Sequence, residues 1–152
     1  MSVVSYQVRR ARGNDEMQEA LALRREVFCS EQGVPEFEEL DGRDPEGIHL
    51  VAVTDGELVG TCRLLHVGHT VQFSRLAVRT DARRRGIATK LLELADAESR
   101  ALGAKRLVLH AQTYAQGLYE GVGYRPRGKV FVEAGIEHVA MEKMLQVATR
   151  EL

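Results

Sequence analysis

The sequence has no surplus of either charge: 21 lysines and arginines face 22 aspartates and glutamates, for a net charge of −1. That balance argues against a protein whose main task is binding nucleic acid, because neutralising phosphates takes a basic surplus. Cysteine is scarce. Cys29 and Cys62 stand far apart without a metal-ligand rhythm, which predicts two reduced, partly buried thiols and no metal site. Met1 to Arg10 contains no continuous apolar stretch, and no apolar run approaches bilayer-spanning length. No secretory signal and no membrane partner are therefore expected, and the predicted location is the cytoplasm. Internal repeats and low-complexity segments are absent too. What is present is an ordinary globular composition, 44% apolar and 28% charged, over 152 residues. This is the length of a single domain with one hydrophobic core.

Val3 to Ala11 alternates apolar and polar residues and reads as a strand. Gly13-Asn14-Asp15 breaks it, with Asn14 as the expected N-cap of a helix to about Phe28. Met17, Ala20, Leu21, Val27 and Phe28 fall on one face of that helix, and Arg24 sits oddly among them. Ser30 to Gly47 is acidic and broken by Gly33, Pro35, Gly42, Pro45 and Gly47, a long loop of the kind that usually carries function. Ile48 to Thr54, an Asp55-Gly56 turn, Glu57 to Val67, a Gly68-His69 turn and Val71 to Val78 form an antiparallel meander.

Thr80 to Arg85 is polar and basic, and Gly86 to Leu102 is the clearest helix of the chain. Its buried stripe is Ile87, Leu91, Leu94, Ala95 and Leu102, and Gly103 ends it. Lys105 to Ala111 is a buried strand. Thr113 is the expected cap of a short helix to about Glu120, and strands at Tyr124 to Glu133 and Glu137 to Met144 meet across Ala134-Gly135. The order is strand, helix, three strands, helix, strand, helix, two strands. It predicts an α/β fold with a mixed, mostly antiparallel sheet of about seven strands and helices on both faces.

The run Arg83-Arg84-Arg85-Gly86-Ile87-Ala88-Thr89 leads directly into the best helix. Free backbone N–H groups converge at a helix start, and the helix dipole adds partial positive charge. Gly86 lets a bulky anion approach the backbone, Ala88 keeps the next turn clear, and three arginines add charge. Such a turn is a pyrophosphate cradle, or, more plainly, a solvated basic loop before an ordinary helix. No Gly-Lys-Ser/Thr follows, and only one glycine is present after an antiparallel meander, which disfavours nucleotide and dinucleotide phosphate loops.

The same run resembles the GNAT superfamily signature Q/R-x-x-G-x-G/A, with Arg83, Gly86 and Ala88 at its defining positions. Phe73-Ser74-Arg75-Leu76-Ala77-Val78 resembles the family's fourth strand. Ala115-x-x-Leu118-Tyr119-Glu120-x-x-Gly123-Tyr124 resembles its A-x-x-[FL]-Y-E-x-x-G-[FY] segment. Arg24-x-x-Val27-Phe28-x-x-Glu31-Gln32-x-Val34, Glu39-x-Asp41-Gly42-Arg43-Asp44, His49-Leu50, His110-Ala111-Gln112 and Phe131-x-Glu133-x-Gly135-Ile136-x-His138 look like the ElaA-type subgroup. The resemblance covers nearly the whole chain and implies the GNAT fold and an acyl-CoA-dependent N-acyltransferase using acetyl-CoA. It implies cofactor contacts from a bulged strand at Leu76, Ala77 and Val78, from Arg83 through Thr89, from Gln112 and from Tyr119. It also implies Tyr119 as the acid beside the departing thiolate.

An amine attacks a thioester only when unprotonated, yet a free amine with pKa ~10 is mostly ammonium at neutral pH. A base is needed, and Glu31, Glu133, His110 and His138 are the candidates. An N–H near Ala77 or Val78 is the expected oxyanion donor. Tyr119 also reads as a tyrosine packed at a helix–sheet contact. Buried Arg24 requires a carboxylate partner, with Asp41 or Asp44 available, and would then order the acidic loop. That loop's Glu31, Glu36, Glu38, Glu39 and Asp41 point weakly to a cationic acceptor. The expected acceptor is a small-molecule amine rather than a protein amine, and a homodimer is possible on family grounds. Two other functions compete with the enzyme: a non-catalytic acyl-CoA-binding module, and a nucleic-acid contact through Arg83 to Arg85.

Overall fold

The computed structural model describes residues 6–145, which form a seven-stranded sheet in the order β1-β2-β3-β4-β5-β7-β6. The strands are β1 (Gln7–Arg10), β2 (Ile48–Thr54), β3 (Glu57–Val67), β4 (Thr70–Val78), β5 (Arg106–Gln112), β6 (Arg125–Glu133) and β7 (Ile136–Met144). The helices are α1 (Gly13–Arg24), α2 (Glu36–Glu39), α3 (Ile87–Ala101) and α4 (Gln116–Gly121). The meander forms as its turns dictate. Asp55 and Gly56 both take positive φ (+48° and +75°), as a two-residue hairpin turn requires. Of the expected first strand, Val3 to Ser5 lie outside the described residues.

Three local expectations are corrected. The N-cap of α1 is Arg12, whose N–H donates to Glu16 Oε1 at 2.6 Å, and Asn14 lies inside the helix. Thr113 opens a 3-10 turn (Thr113–Ala115) with no side-chain cap, and α4 begins only at Gln116. The first helix changes pitch: Arg25–Glu31 is π-helical, with the Gln32 N–H donating to the Val27 carbonyl five residues back. The buried face also differs from the expected one, though its spacing stays α-helical. Ala20, Leu23, Arg24 and Val27 are buried, while Met17, Leu21 and Phe28 are only half-buried.

The sheet has an apolar cluster on each face. On one side α3 lays Ile87, Leu91, Leu92 and Ala95 against β2, β3 and β4. The approach is close: a Cβ on Gly60 of β3 would meet Ile87 Cγ2 at 2.9 Å, so only glycine admits the helix at this distance. On the other side Leu23 and Val27 pack with Ala77. Placing α1 and α3 on opposite faces follows from strand alternation, since Ala77 joins one cluster and its neighbour Val78 the other.

A single parallel pairing joins the two halves of the sheet. β4 and β5 are in register only from Thr70–Arg106 to Gln72–Val108. Beyond this point β4 continues to Val78 and β5 to Gln112 without pairing, and a cleft opens between them.

Candidate active site

The wall of the cleft formed by β4 is irregular. Thr61 pairs with Ala77 and Arg63 with Ser74, so Arg75 and Leu76 together face the single residue Cys62, which makes a β-bulge. Arg75 has φ +58°, uncommon for a residue with a side chain. Past the bulge, the Arg79 N–H donates to the Val59 carbonyl at 2.8 Å. Strand alternation then turns the backbone of Ala77 toward β3, and those of Leu76 and Val78 toward the cleft. Of the two oxyanion donors expected near this point, the direction of the strand favours Val78.

At the end of β4 the chain enters α3 through Gly86, at φ +81°. No side chain caps this helix, and its first internal bond runs from the Lys90 N–H to the Gly86 carbonyl. The N–H groups of Ile87, Ala88 and Thr89 precede that bond and point out of the helix start. A Cβ built on Gly86 meets no atom within 4 Å. Packing therefore does not demand glycine there. Its conformation does, and the bare surface it leaves suits an anion drawn by the helix dipole. Ala88 lines the cleft, whereas the Ile87 side chain is buried in the core and only its backbone can face a ligand.

The three arginines of the turn differ. Arg83 Nε donates to the Val78 carbonyl at 3.0 Å, and its Nη2 lies 3.0 Å from Glu31. Glu31 also accepts the Thr80 hydroxyl at 2.9 Å. Arg85 reaches the Tyr6 hydroxyl at 3.2 Å, and Arg84 sits at φ +63° in the exposed turn. The turn is thus less freely basic than its sequence implies.

A cavity of about 870 Å³ runs from this point between β4 and β5 to the far face of the sheet, within the size range of small-molecule sites. Tyr119 of α4 lines it from the core side, nearly buried, with its ring edge-on to those of Phe73 and Tyr124. This tyrosine therefore packs as core and also borders the cavity. Burial raises its phenol well above the usual tyrosine range, with Tyr114 and Cys62 adding to the effect, so it stays protonated at neutral pH.

The remaining lining comes from β5, the β6–β7 hairpin and the acidic loop. Register pairs His110 with Ala140, Gln112 with His138, Phe131 with His138 and Glu133 with Ile136, so all of these share one face of the sheet. Gln112 Nε2 donates to Gln32 Oε1 at 2.8 Å, bridging the end of β5 to the end of the π-helical turn. His110 Nδ1 lies 3.2 Å from Glu133.

The acidic loop is held down by arginines. Arg24, 1% exposed, donates to Glu39 at 2.5 Å and to Asp44 at 2.8 Å. Arg63, 2% exposed, reaches Asp41 at 2.7 Å and Asp44 at 3.0 Å. Arg75, from the bulge, donates to the Glu39 carbonyl at 3.0 Å and to Asp41 at 3.3 Å. Three guanidinium groups thus face three carboxylates. The bond from Arg63 holds the Asp41 carboxyl far below its usual range. Burial works to raise Asp44, but the bonds from Arg24 and Arg63 outweigh it and keep it below normal. Arg24 therefore orders the loop as expected, through Glu39 and Asp44, while Asp41 belongs to Arg63. With Glu31 on Arg83 and Glu36 on Arg25 (3.1 Å), the loop does not present the open carboxylate field that its composition suggests.

Sequence reasoning missed Arg63, Arg75 and Gln32 as parts of this site. Arg63 carried a signal, as a charge inside the otherwise apolar run Leu58 to Leu65. Arg75 did not, because its role depends on a bulge and a positive φ. Both free cysteines agree with expectation, Cys29 half-buried and Cys62 buried. Among the described residues, no helix is long and apolar enough to cross a membrane.

A splayed mixed sheet, a bulged strand beside the split and an uncapped helix start at Gly86 together define an acyltransferase-type site. A family model described as an acetyltransferase (GNAT) domain matches residues 14–145, and the chain belongs to this GNAT family. The uncharacterized N-acetyltransferase YjcF of Bacillus subtilis is 34% identical over 135 residues, covering 88% of this chain and 96% of YjcF. The crystal structure of an acyl-CoA N-acyltransferase from Pseudomonas aeruginosa superposes with a TM-score of 0.79 at 30% identity, over 92% of this chain and 99% of that one. Escherichia coli ElaA shares the fold, with a TM-score of 0.81 at 24% identity over 93% and 99% of the two chains.

Proposed function

We propose that this GNAT protein transfers an acetyl group from acetyl-CoA to a primary amine by direct attack through a tetrahedral intermediate. The observation that carries the reading is the uncapped start of α3 at Gly86, set beside the cleft where β4 leaves β5. The pyrophosphate of the donor takes the N–H groups of Ile87, Ala88 and Thr89, with Arg84 and Arg85 as nearby cations and Arg83 able to exchange Glu31 for phosphate. The pantetheine arm follows the cleft-facing backbone of Leu76 and Val78. The thioester carbonyl meets the Val78 N–H, which stabilises the oxyanion as it forms. Tyr119, protonated across the neutral range, donates to the departing thiolate. The Pseudomonas neighbour, an acyl-CoA N-acyltransferase by name, supports the donor class.

The acceptor is a small-molecule amine, taken in from the side of the sheet that carries the acidic loop and the β6–β7 hairpin. Its class rests on the size of the cavity rather than on a field of free carboxylates. The ElaA-type subgroup rests on the residue runs quoted above. Two unpaired thiols, together with acetyl-CoA use, support a cytoplasmic setting.

Calorimetry with coenzyme A tests the donor site. Gly86→Val forces a β-branched residue into positive φ and fills the bare helix start. Losing one or two charge-assisted N–H contacts, each about 1.5–3 kcal/mol, should weaken binding on the order of a hundredfold. Unchanged affinity would remove the cradle from this role. Thiol release from acetyl-CoA across a panel of primary amines separates the enzyme from a non-catalytic acyl-CoA-binding module, which would bind and release nothing.

A further inference from the structure

We infer that His110 is the base that deprotonates the acceptor amine, with Glu133 as the residue that positions it. The inference rests on the acyltransferase reading above and fixes a role that the reading leaves open. Four groups compete for it: Glu31, Glu133, His110 and His138.

Glu31 is already engaged. Its carboxylate accepts the Thr80 hydroxyl at 2.9 Å and pairs with Arg83 at 3.0 Å, at the donor end of the cleft. Even where Arg83 turns to phosphate, the Thr80 hydroxyl keeps this carboxylate at the donor end, beside the turn into α3. His138 is nearly buried, and its Nδ1 lies 2.7 Å from the Ile136 carbonyl. A carbonyl only accepts, so that nitrogen carries the proton. The other nitrogen, Nε2, faces Glu133 at 3.9 Å. This ring is turned into the hairpin, stacked on Phe131 with centroids 6.0 Å apart.

His110 is arranged differently. It stands two residues past Val108, the last β5 partner of β4, where the strands part. Its Nδ1 lies 3.2 and 3.4 Å from the two oxygens of Glu133, which accept only. The proton is therefore on Nδ1, and Nε2 keeps a lone pair. Phe131 meets the ring edge-on at 5.0 Å and limits its rotation. Glu133 is carried beside the tight Ala134-Gly135 turn, both residues at positive φ, so a short rigid hairpin delivers the carboxylate. His110 and Glu133 are both about half exposed and both line the cavity that Tyr119 borders. A carboxylate fixing one ring nitrogen so that the other can accept a proton is a common division of labour where histidine serves as a general base.

In the step this assigns, the amine lone pair forms the N–C bond while the carbonyl π pair moves onto oxygen. Collapse of the intermediate expels the thiolate of coenzyme A. Before attack, His110 Nε2 takes the proton of the ammonium and passes it through water to solvent. After attack the thiolate takes a proton from Tyr119, and the proton shed by the acylated nitrogen returns through water to the tyrosine.

The test is the rate of thiol release from acetyl-CoA with primary alkylamines and with two weakly basic nucleophiles, methoxyamine and aniline. Alkylamines are mostly ammonium at neutral pH and need a base, whereas the weak bases are already neutral. His110→Gln should lower kcat with alkylamines by about 10²–10⁴-fold, leave the KM for acetyl-CoA unchanged, and cost far less with methoxyamine or aniline. Glu133→Gln should move kcat in the same direction by less. Added imidazole should restore part of the activity of His110→Gly with alkylamines. An equal loss with every acceptor, or no loss, overturns the assignment. Should the wild-type protein bind acetyl-CoA yet release thiol with no nucleophile at all, the acyltransferase reading fails and the assignment falls with it.

Discussion

The two ends of the cavity are built from different materials. On the reading proposed above, the groups that meet the ligand at the donor end are backbone: the first N–H groups of α3 and the cleft-facing positions of a bulged strand. At the acceptor end they are side chains: three arginines pinning a loop, a glutamine pair, and a histidine held by a carboxylate. A backbone site depends on glycine, helix register and strand geometry, so many side chains can vary around it. A side-chain site changes character with a single substitution. One fold can therefore hold a donor constant while its acceptor changes.

The comparison breaks most readily at the loop. Arg24→Ala leaves Glu39 buried without its closest cation, and unpairing a buried ion pair costs about 3–5 kcal/mol. A thermal melt should show a large fall in stability, with coenzyme A affinity of the surviving folded protein little changed. Equal loss at both ends would mean that they are not separable. Tyr119→Phe probes the junction. Turnover should fall on the order of 10²-fold while the dissociation constant for coenzyme A moves little. Equal turnover would leave the tyrosine as core packing only.

Acid should act on the loop before the cradle. The carboxyls of Asp41 and Asp44 are depressed in the folded protein, so their stabilisation is complete above their unfolded pKa of about 4. It is lost as pH falls through the lower folded values. Glu16, bonded by Arg9 and lowered to about 2, behaves alike at the other edge of the sheet. The melting temperature should hold from pH 7 to about 4 and drop below, and Asp41→Asn should shrink that drop. A steady decline between pH 7 and 5 would point to other groups. The smallest effect belongs to Glu31→Gln. Freeing Arg83 from a partly exposed pair worth about 0.2–1 kcal/mol should tighten coenzyme A binding by at most about fivefold. Weaker binding would show that Glu31 helps to form the cradle.

The donor end was more legible in the sequence than the acceptor end, for the same reason. A helix start announced by Gly86 and a hairpin announced by Asp55-Gly56 are local, and β2 and β3 fall where their turns require. Arg63 and Asp41, by contrast, are 22 positions apart in sequence, and His110 and Glu133 are 23 apart. No periodicity encodes such meetings, which depend on the β5–β7–β6 register and on the path of the loop. The π-helical turn after Arg24 was equally hidden, because a change of pitch leaves composition unaltered. Arg24 among apolar neighbours was visible, and burial with two carboxylates resolves that conflict.

The short pairing of β4 with β5 has a consequence for how the molecule assembles. In one half the β2–β3 and β3–β4 hairpins are local, and in the other the β6–β7 hairpin is, whereas β1 with β2 and β5 with β7 pair across longer stretches of chain. The halves meet at a seam of three residue pairs, Thr70–Arg106 to Gln72–Val108, bridged by α3. Among the described residues this is the shortest strand pairing, and the cleft begins at its end. On the reading proposed here, the donor lies along that joint and ties together two half-sheets that the polypeptide itself barely stitches.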